Sequence, residues 1–175
     1  LWSVTYAADY CGTTIPAIPN QTTANANWNF TEPGIYTITL TTTNSCGSTT
    51  LSKTVTVKKP PTVSISPISN SCGNATINPV ATINTCSPTG STITYAWSFP
   101  GGTPATANTA NPGTINYPTT GTYTVSLIVT NECGPSTAAT QNFTVSVAPV
   151  ITNTVLNQTI CSGNQTSLVT LTANP

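Results

Sequence analysis

The sequence contains very little charge and no histidine. Its charged side chains are three carboxylates and three lysines, which leaves no net charge: Asp9, Glu32, Glu132, Lys53, Lys58 and Lys59. General acid–base catalysis needs two titratable groups at one site, and three widely spaced carboxylates without histidine supply no such pair. The serines have no base to activate them. We therefore predict that the chain is not an enzyme, has no catalytic residues and binds no cofactor.

The shortage of charge also limits the partners. A chain with three lysines has no basic surface that would release counterions from nucleic acid, and no polybasic face for anionic lipid. It has no apolar run near the ~20 residues of a membrane helix, so we predict no direct membrane insertion. It also has no charged start followed by an apolar stretch. We expect the targeting signal of the parent protein to lie upstream.

Six cysteines stand in a chain that lacks histidine and lacks any Cys-x-x-Cys pair. Zinc sites need clustered ligands, so this pattern argues against a metal site and favours disulfides. Disulfides persist in oxidising compartments. We therefore predict that the chain lies in an oxidising compartment, outside the cell or in a periplasm.

What the chain does contain is a repeat. Gly121 to Gly134, GTYTVSLIVTNECG, resembles GIYTITLTTTNSCG, which begins 87 residues earlier at Gly34. In both, Thr and Ser alternate with larger apolar residues, and a period of two indicates a strand with one buried face. The closing Asn, Cys and Gly predict a turn. A second strand is expected over 51–57 and again over 142–147, with Val55 matching Val145.

An offset near 90 residues is about the size of an immunoglobulin-like sandwich. The prolines after Lys58 and Lys59 predict a stiff linker, and Cys161 lies 89 residues after Cys72 as if a further unit had begun. We predict an all-β chain of tandem sandwiches in a linear array. The division is 1–58, lacking its first strands, then a complete unit over 59–148, then the first strands of a third unit over 149–175. Strands are expected at Val63 to Ile65 and at Ala75 to Ile83, with Pro79 favouring an edge or a bulge in the second. A loop is expected from Asp9 to Asn27.

Trp97, in the segment TYAWSFP, is the best-marked candidate core residue, and Trp2 occupies the same place in the first unit. Its phase in the strand predicts burial, as for the third-strand tryptophan of immunoglobulin domains. The alternative is an exposed aromatic platform for sugar or collagen, which would also suit Trp28. The predicted core residues are Trp2, Trp28, Tyr36, Trp97, Phe99 and Tyr123.

For the cysteines, sandwich topology favours a bridge between Cys86 and Cys133, because the loops that carry them lie at the same pole. Such a bridge would contribute ~3 to 4 kcal/mol by chain entropy. Cys46 corresponds to Cys133, so its partner would precede residue 1, with Cys11 as the fallback. Six cysteines allow about 15 pairings, and the sequence does not choose among them.

From YAWSFPGG to YPTTGTYTVSLIVTN the chain resembles the PKD repeat. The residues that carry the resemblance are Trp97, Phe99, Gly102, Gly121, Tyr123, Val125, Leu127, Val129 and Asn131. Ser98 replaces the usual Asp of that pattern, and Pro100 and Gly101 replace Gly and Asp. Calcium prefers several charged oxygens, so these departures argue against a calcium site.

The excess of Thr and Asn, the near absence of charge and phrases such as NQTICSGNQTSLVTLTANP resemble the giant repetitive surface adhesins of Bacteroidota. These include the SprB type, which serves gliding motility. The resemblance implies export by the type IX secretion system and an extracellular location, attached at the bacterial outer surface. The leading hypothesis is the stalk of such an adhesin, with neighbouring repeats of the same chain and an extracellular surface or polysaccharide as partners. The alternative is an accessory carbohydrate- or protein-binding PKD module of a secreted hydrolase.

Overall fold

The computed structural model describes residues 1–7, 11, 17–152, 157–168 and 172–174. All regular elements of these residues are β-strands, and no helix in them is long and apolar enough to cross a bilayer. Asp9, where the predicted loop begins, lies outside them. The strands are β1 (Trp2–Ala7), β2 (Gly34–Asn44), β3 (Gly47–Val57), β4 (Thr62–Ile65), β5 (Ser71–Cys72), β6 (Ala75–Ile77), β7 (Ala81–Asn84), β8 (Thr94–Ser98), β9 (Thr106–Ala107), β10 (Ile115–Tyr117), β11 (Gly121–Asn131), β12 (Gly134–Pro135), β13 (Ala139–Ser146), β14 (Val150–Ile151) and β15 (Ala173–Asn174).

The first unit is a three-stranded antiparallel sheet in the order β1-β2-β3. The repeated segment forms its central strand, and the turn at Ser45 and Cys46 joins that strand to β3. Trp2 lies opposite Leu40, as Trp97 of the second unit lies opposite Leu127. Since Leu40 and Leu127 hold the same position in the repeat, the two tryptophans occupy equivalent places.

The second unit is a two-sheet sandwich. One sheet has the order β5-β13-β11-β8-β9, with β12 also paired to β11, and two strand pairs, β4-β7 and β6-β10, make up the rest. Side chains from both sides fill the space between them. Those in the core are Ile65, Ala75, Ile77, Trp97, Phe99, Ile115, Tyr117, Val125, Leu127, Val129, Phe143 and Val145.

The segment predicted as one strand over Ala75 to Ile83 is two strands. β6 pairs with β10, whereas β7 pairs with β4, and Pro79 lies in the gap between them. Proline has no backbone N–H to donate to a ladder. The chain therefore changes partner at this residue, so the single-strand prediction is wrong.

The register of the second hairpin also differs from the prediction. Val57 pairs with Gly34 and Val145 pairs with Gly121, so Val57 is equivalent to Val145 and the match of Val55 with Val145 is two residues out. The second unit carries one more residue than the first between its turn and β13. There, Ser136 donates its backbone N–H to the carbonyl of Val129 (2.7 Å). A pattern of period two fits registers two residues apart equally well.

Candidate functional site

Trp97 and Phe99 lie in the centre of the second unit. Their exposed fractions are 2% and 0%, and their rings stack with centroids 5.6 Å apart. The indole Nε1–H of Trp97 donates to the carbonyl of Thr109 at 3.1 Å. Tyr36 is buried in the first unit, and its hydroxyl donates to the carbonyl of Glu32. All three side chains therefore pack inside, with their polar atoms satisfied.

Tyr123 lies at the rim of the core and is half-buried. Its ring packs 4.5 Å from that of Tyr117, while its hydroxyl donates to the carbonyl of Thr119 at 2.8 Å. The ring also lies over the backbone of Gly101, where a Cβ atom would come within 2.5 Å of it. The turn after Trp97 therefore packs directly on Tyr123, and this contact requires glycine.

Trp2 and Trp28 are half-buried and lie beside an open groove of about 410 Å³ on the first sheet. Their rings meet edge to face at 6.3 Å, and both indole N–H groups donate to backbone carbonyls. Leu51, on the same face, is 71% exposed. In the second unit the equivalent face is covered by β4, β6, β7 and β10, and its central residues are fully buried.

The structure pairs Cys86 with Cys11, so the prediction of a bridge between Cys86 and Cys133 is wrong, as is the fallback pairing of Cys46 with Cys11. Cys86 is 1% exposed, and its carbonyl accepts the backbone N–H of Lys59 in the linker, so it faces the junction with the first unit. Cys133 is exposed. Four thiols are free and exposed: Cys46, Cys72, Cys133 and Cys161.

The position of Cys11 contained a signal that sequence reasoning did not use. It lies in the loop region that is longer in the first unit than after Trp97, and that second loop has no cysteine. An extra cysteine in an extra loop indicates a contact that the other copy does not make. That contact is with the next unit along the chain.

Asn131 joins three segments at the same pole. Its Nδ2 donates to the carbonyls of Lys59 (2.7 Å) and Thr85 (3.2 Å), and its Oδ1 accepts the N–H of Cys133 (2.8 Å). The side chain is buried, at 6% exposure. One amide therefore ties the linker and the loop after β7 to the turn after β11.

Four of the six charged side chains meet at this junction. Lys58 forms an ion pair with Glu132, and Lys59 one with Glu32 at 3.0 Å across the two units. The hydrogen bond from Lys58 lowers the pKa of Glu132, and Ser91 donates to the same carboxylate. The ion pairs are partly exposed, so each contributes little alone. Together with the disulfide and Asn131 they fix the linker to both units.

The described residues include no group of three or more metal-capable side chains that could hold an ion. The interactions described above join neighbouring segments of the chain: one disulfide, two ion pairs and a buried amide at the junction of the two units. We call this set, Cys11–Cys86 with Glu32, Lys58, Lys59, Asn131 and Glu132, the junction cluster.

Two facing sheets with this core define an immunoglobulin-like β-sandwich protein. The chain belongs to the PKD-domain family, because the model described as PKD domain matches residues 58–147. Domains of this kind are often extracellular adhesion or accessory modules and are typically non-catalytic. Together with the disulfide, they indicate an extracellular or secreted protein.

The chain is also similar to two solved structures. One is the crystal structure of chicken CNTN1 FN1-FN3 domains, at 17% identity over 70% of this chain and 47% of that one, with a TM-score of 0.36. The other is Dscam1 isoform 9.44, N-terminal four Ig domains, at 18% identity over 66% and 27%, also with a TM-score of 0.36. The chain thus spans about half of the first and about a quarter of the second. No curated protein matches.

Proposed function

We propose that this chain is a stalk segment of a cell-surface adhesin, in which serial PKD-like units hold a binding surface away from the cell. In this proposal the units span residues 1–58, 59–148 and 149–175. Each passes load to the next. The segment itself performs no catalysis.

The observation that carries the proposal is the junction cluster. A binding module on a flexible tether needs no covalent bond to the neighbouring unit, whereas a stalk must keep its units aligned under load. Here Cys11 of the first unit is bonded to Cys86 of the second, and Glu32 is paired with Lys59 of the linker. The prolines at 60 and 61 restrict the same linker.

The composition supports the finer assignment. The excess of Thr and Asn with almost no charge resembles the repetitive surface adhesins of Bacteroidota, which makes a SprB-like protein exported by the type IX secretion system our proposal. Its place would be the bacterial outer surface, and its role attachment or gliding motility. A surface filament with three lysines and no arginine also offers few tryptic sites.

Antibodies raised against the purified 175-residue chain test the proposal on intact cells of the source organism. Immunogold labelling should decorate filaments outside the outer membrane, and monovalent Fab fragments should reduce attachment to glass. Pre-immune Fab provides the control. Label found in the culture fluid and absent from cells would contradict the stalk.

The groove beside Trp2 and Trp28 favours a second candidate, an accessory carbohydrate- or protein-binding module of a secreted hydrolase. Half-exposed indoles next to an apolar groove can stack on sugar rings. A glycan and collagen array probed with the purified chain, against a Trp28→Ala control, separates the two. Binding lost in the variant supports the module, and an array without signal supports the stalk.

A further inference from the structure

The Cys11–Cys86 disulfide closes a covalent loop that includes strands of both units. It joins residues 75 apart in sequence, one just after β1 and the other just after β7. All of β2 and β3, the linker and the strands from β4 to β7 lie between them. We call residues 12–85 the shielded loop.

We propose that this disulfide carries tension around the shielded loop and that its reduction releases the loop as extra length. Tension applied to the two chain ends runs along residues 1–11, across the sulfur–sulfur bond and on through 86–175. The shielded loop, which separates two cysteines 75 positions apart, bears none of it. Fully extended at ~3.3 to 3.6 Å per residue, it amounts to about 250 Å.

The bond also changes how the second unit is loaded. With the bond intact, tension enters at Cys86, reaches the start of β8 and leaves from the end of β13. Both strands are antiparallel to β11, which lies between them, so they are pulled lengthwise against it. Lengthwise loading strains all the ladder hydrogen bonds at once.

Without the bond, tension passes through β3 and the linker and enters the second unit at Thr62. The strand that begins there, β4, is paired with β7 alone. This pair can be peeled away before the larger sheet is loaded. We therefore expect the oxidised chain to resist a higher force than the reduced chain.

The release step is ordinary thiol–disulfide exchange. A thiolate of an added dithiol attacks one sulfur of the bridge, and the other sulfur leaves as a thiolate. The second thiol of the reagent then attacks the mixed disulfide, and the remaining cysteine leaves as a thiolate. The bridge gains two electrons and two protons, and the reagent becomes a cyclic disulfide. No other reactant is needed.

Single-molecule pulling of the purified 175-residue chain, held by handles at its two ends, tests the inference. Oxidised molecules should unfold to the length of residues 1–11 and 86–175 only. Dithiothreitol added under constant force should then produce a further step of about 250 Å. A bridge between Cys86 and Cys133, 47 residues apart, would give a step of about 160 Å instead, so the step size identifies the bond.

Two variants form a matched pair. Cys11→Ser should extend to full length without reductant, whereas Cys133→Ser should keep the step of about 250 Å. The inference is overturned if oxidised native molecules reach full length, or if Cys133→Ser loses the step. The test uses the isolated chain, so its outcome is independent of whether the parent protein is an adhesin.

Discussion

Asn131 provides the sharpest test of how the second unit is held to its linker. Substitution by alanine removes three hydrogen bonds, two to carbonyls of Lys59 and Thr85 and one from the N–H of Cys133. The two carbonyls are on partly buried residues, so they do not regain full hydration. At about 0.5–1.5 kcal/mol for each bond, Asn131→Ala should reduce the free energy of unfolding by about 2–3 kcal/mol.

Asn84 is the matched control in the same unit. Its side chain is exposed and accepts the backbone N–H of Cys86 two residues on, as Asn131 accepts that of Cys133. It lacks the two bonds to distant carbonyls. Asn84→Ala should therefore reduce the free energy of unfolding by less than about 1 kcal/mol.

Hydrogen exchange followed by mass spectrometry measures the difference in place. The amides of β11 are protected on both sides by β8 and β13 and should exchange through opening of the whole second unit. A loss of about 2 kcal/mol raises their exchange rate about 30-fold. If Asn131→Ala and Asn84→Ala raise it equally, Asn131 closes a local turn and does not anchor the linker.

Three further predictions use matched pairs. Gly101→Ala should reduce the free energy of unfolding in urea by about 1–3 kcal/mol more than Gly90→Ala does. Both glycines have φ near +80°, but only at Gly101 would a Cβ atom come within 2.5 Å of the Tyr123 ring. Tyr117→Phe should leave the free energy of unfolding unchanged or raise it, since the buried hydroxyl of Tyr117 has no hydrogen-bond partner. Tyr123→Phe should reduce it by about 1 kcal/mol, because the Tyr123 hydroxyl donates to the carbonyl of Thr119. Burial also raises the pKa of Tyr117 from 10.0 to about 12, so stability present below pH 10 should fall as the pH rises from 10 towards 12. Urea titrations at several pH values should show a smaller loss in Tyr117→Phe; part of the loss should remain, because burial also raises the pKa of Tyr36. Trp97→Ala should reduce the free energy of unfolding by about 3–5 kcal/mol, because Trp97 is fully buried. Trp2 is half-buried, so Trp2→Ala should reduce it clearly less. If thermal melts show equal losses for the two variants, the first sheet is as well covered as the second.

The position of Trp97 shows how far the sequence alone reaches. In TYAWSF the aromatic residues Tyr95, Trp97 and Phe99 alternate with small residues. A period of two specifies which side chains share a face. The same rule identified the repeated central strand and the equivalence of Trp2 with Trp97. It did not predict how well each face is covered, because coverage depends on strands distant in sequence.

The alternation of Thr and Ser with apolar residues determined by itself that this chain forms β-strands, that they recur, and that the closing Asn, Cys and Gly make a turn. The strand and the turn are local features, so a window of about ten residues contains that information, and the repeat is found by comparing two such windows. The partner of Cys86, the register of Val57 and the contacts of Asn131 were decided only by the tertiary structure. Each depends on which distant segments meet at one pole, and a pattern of period two is the same for every register shifted by two residues.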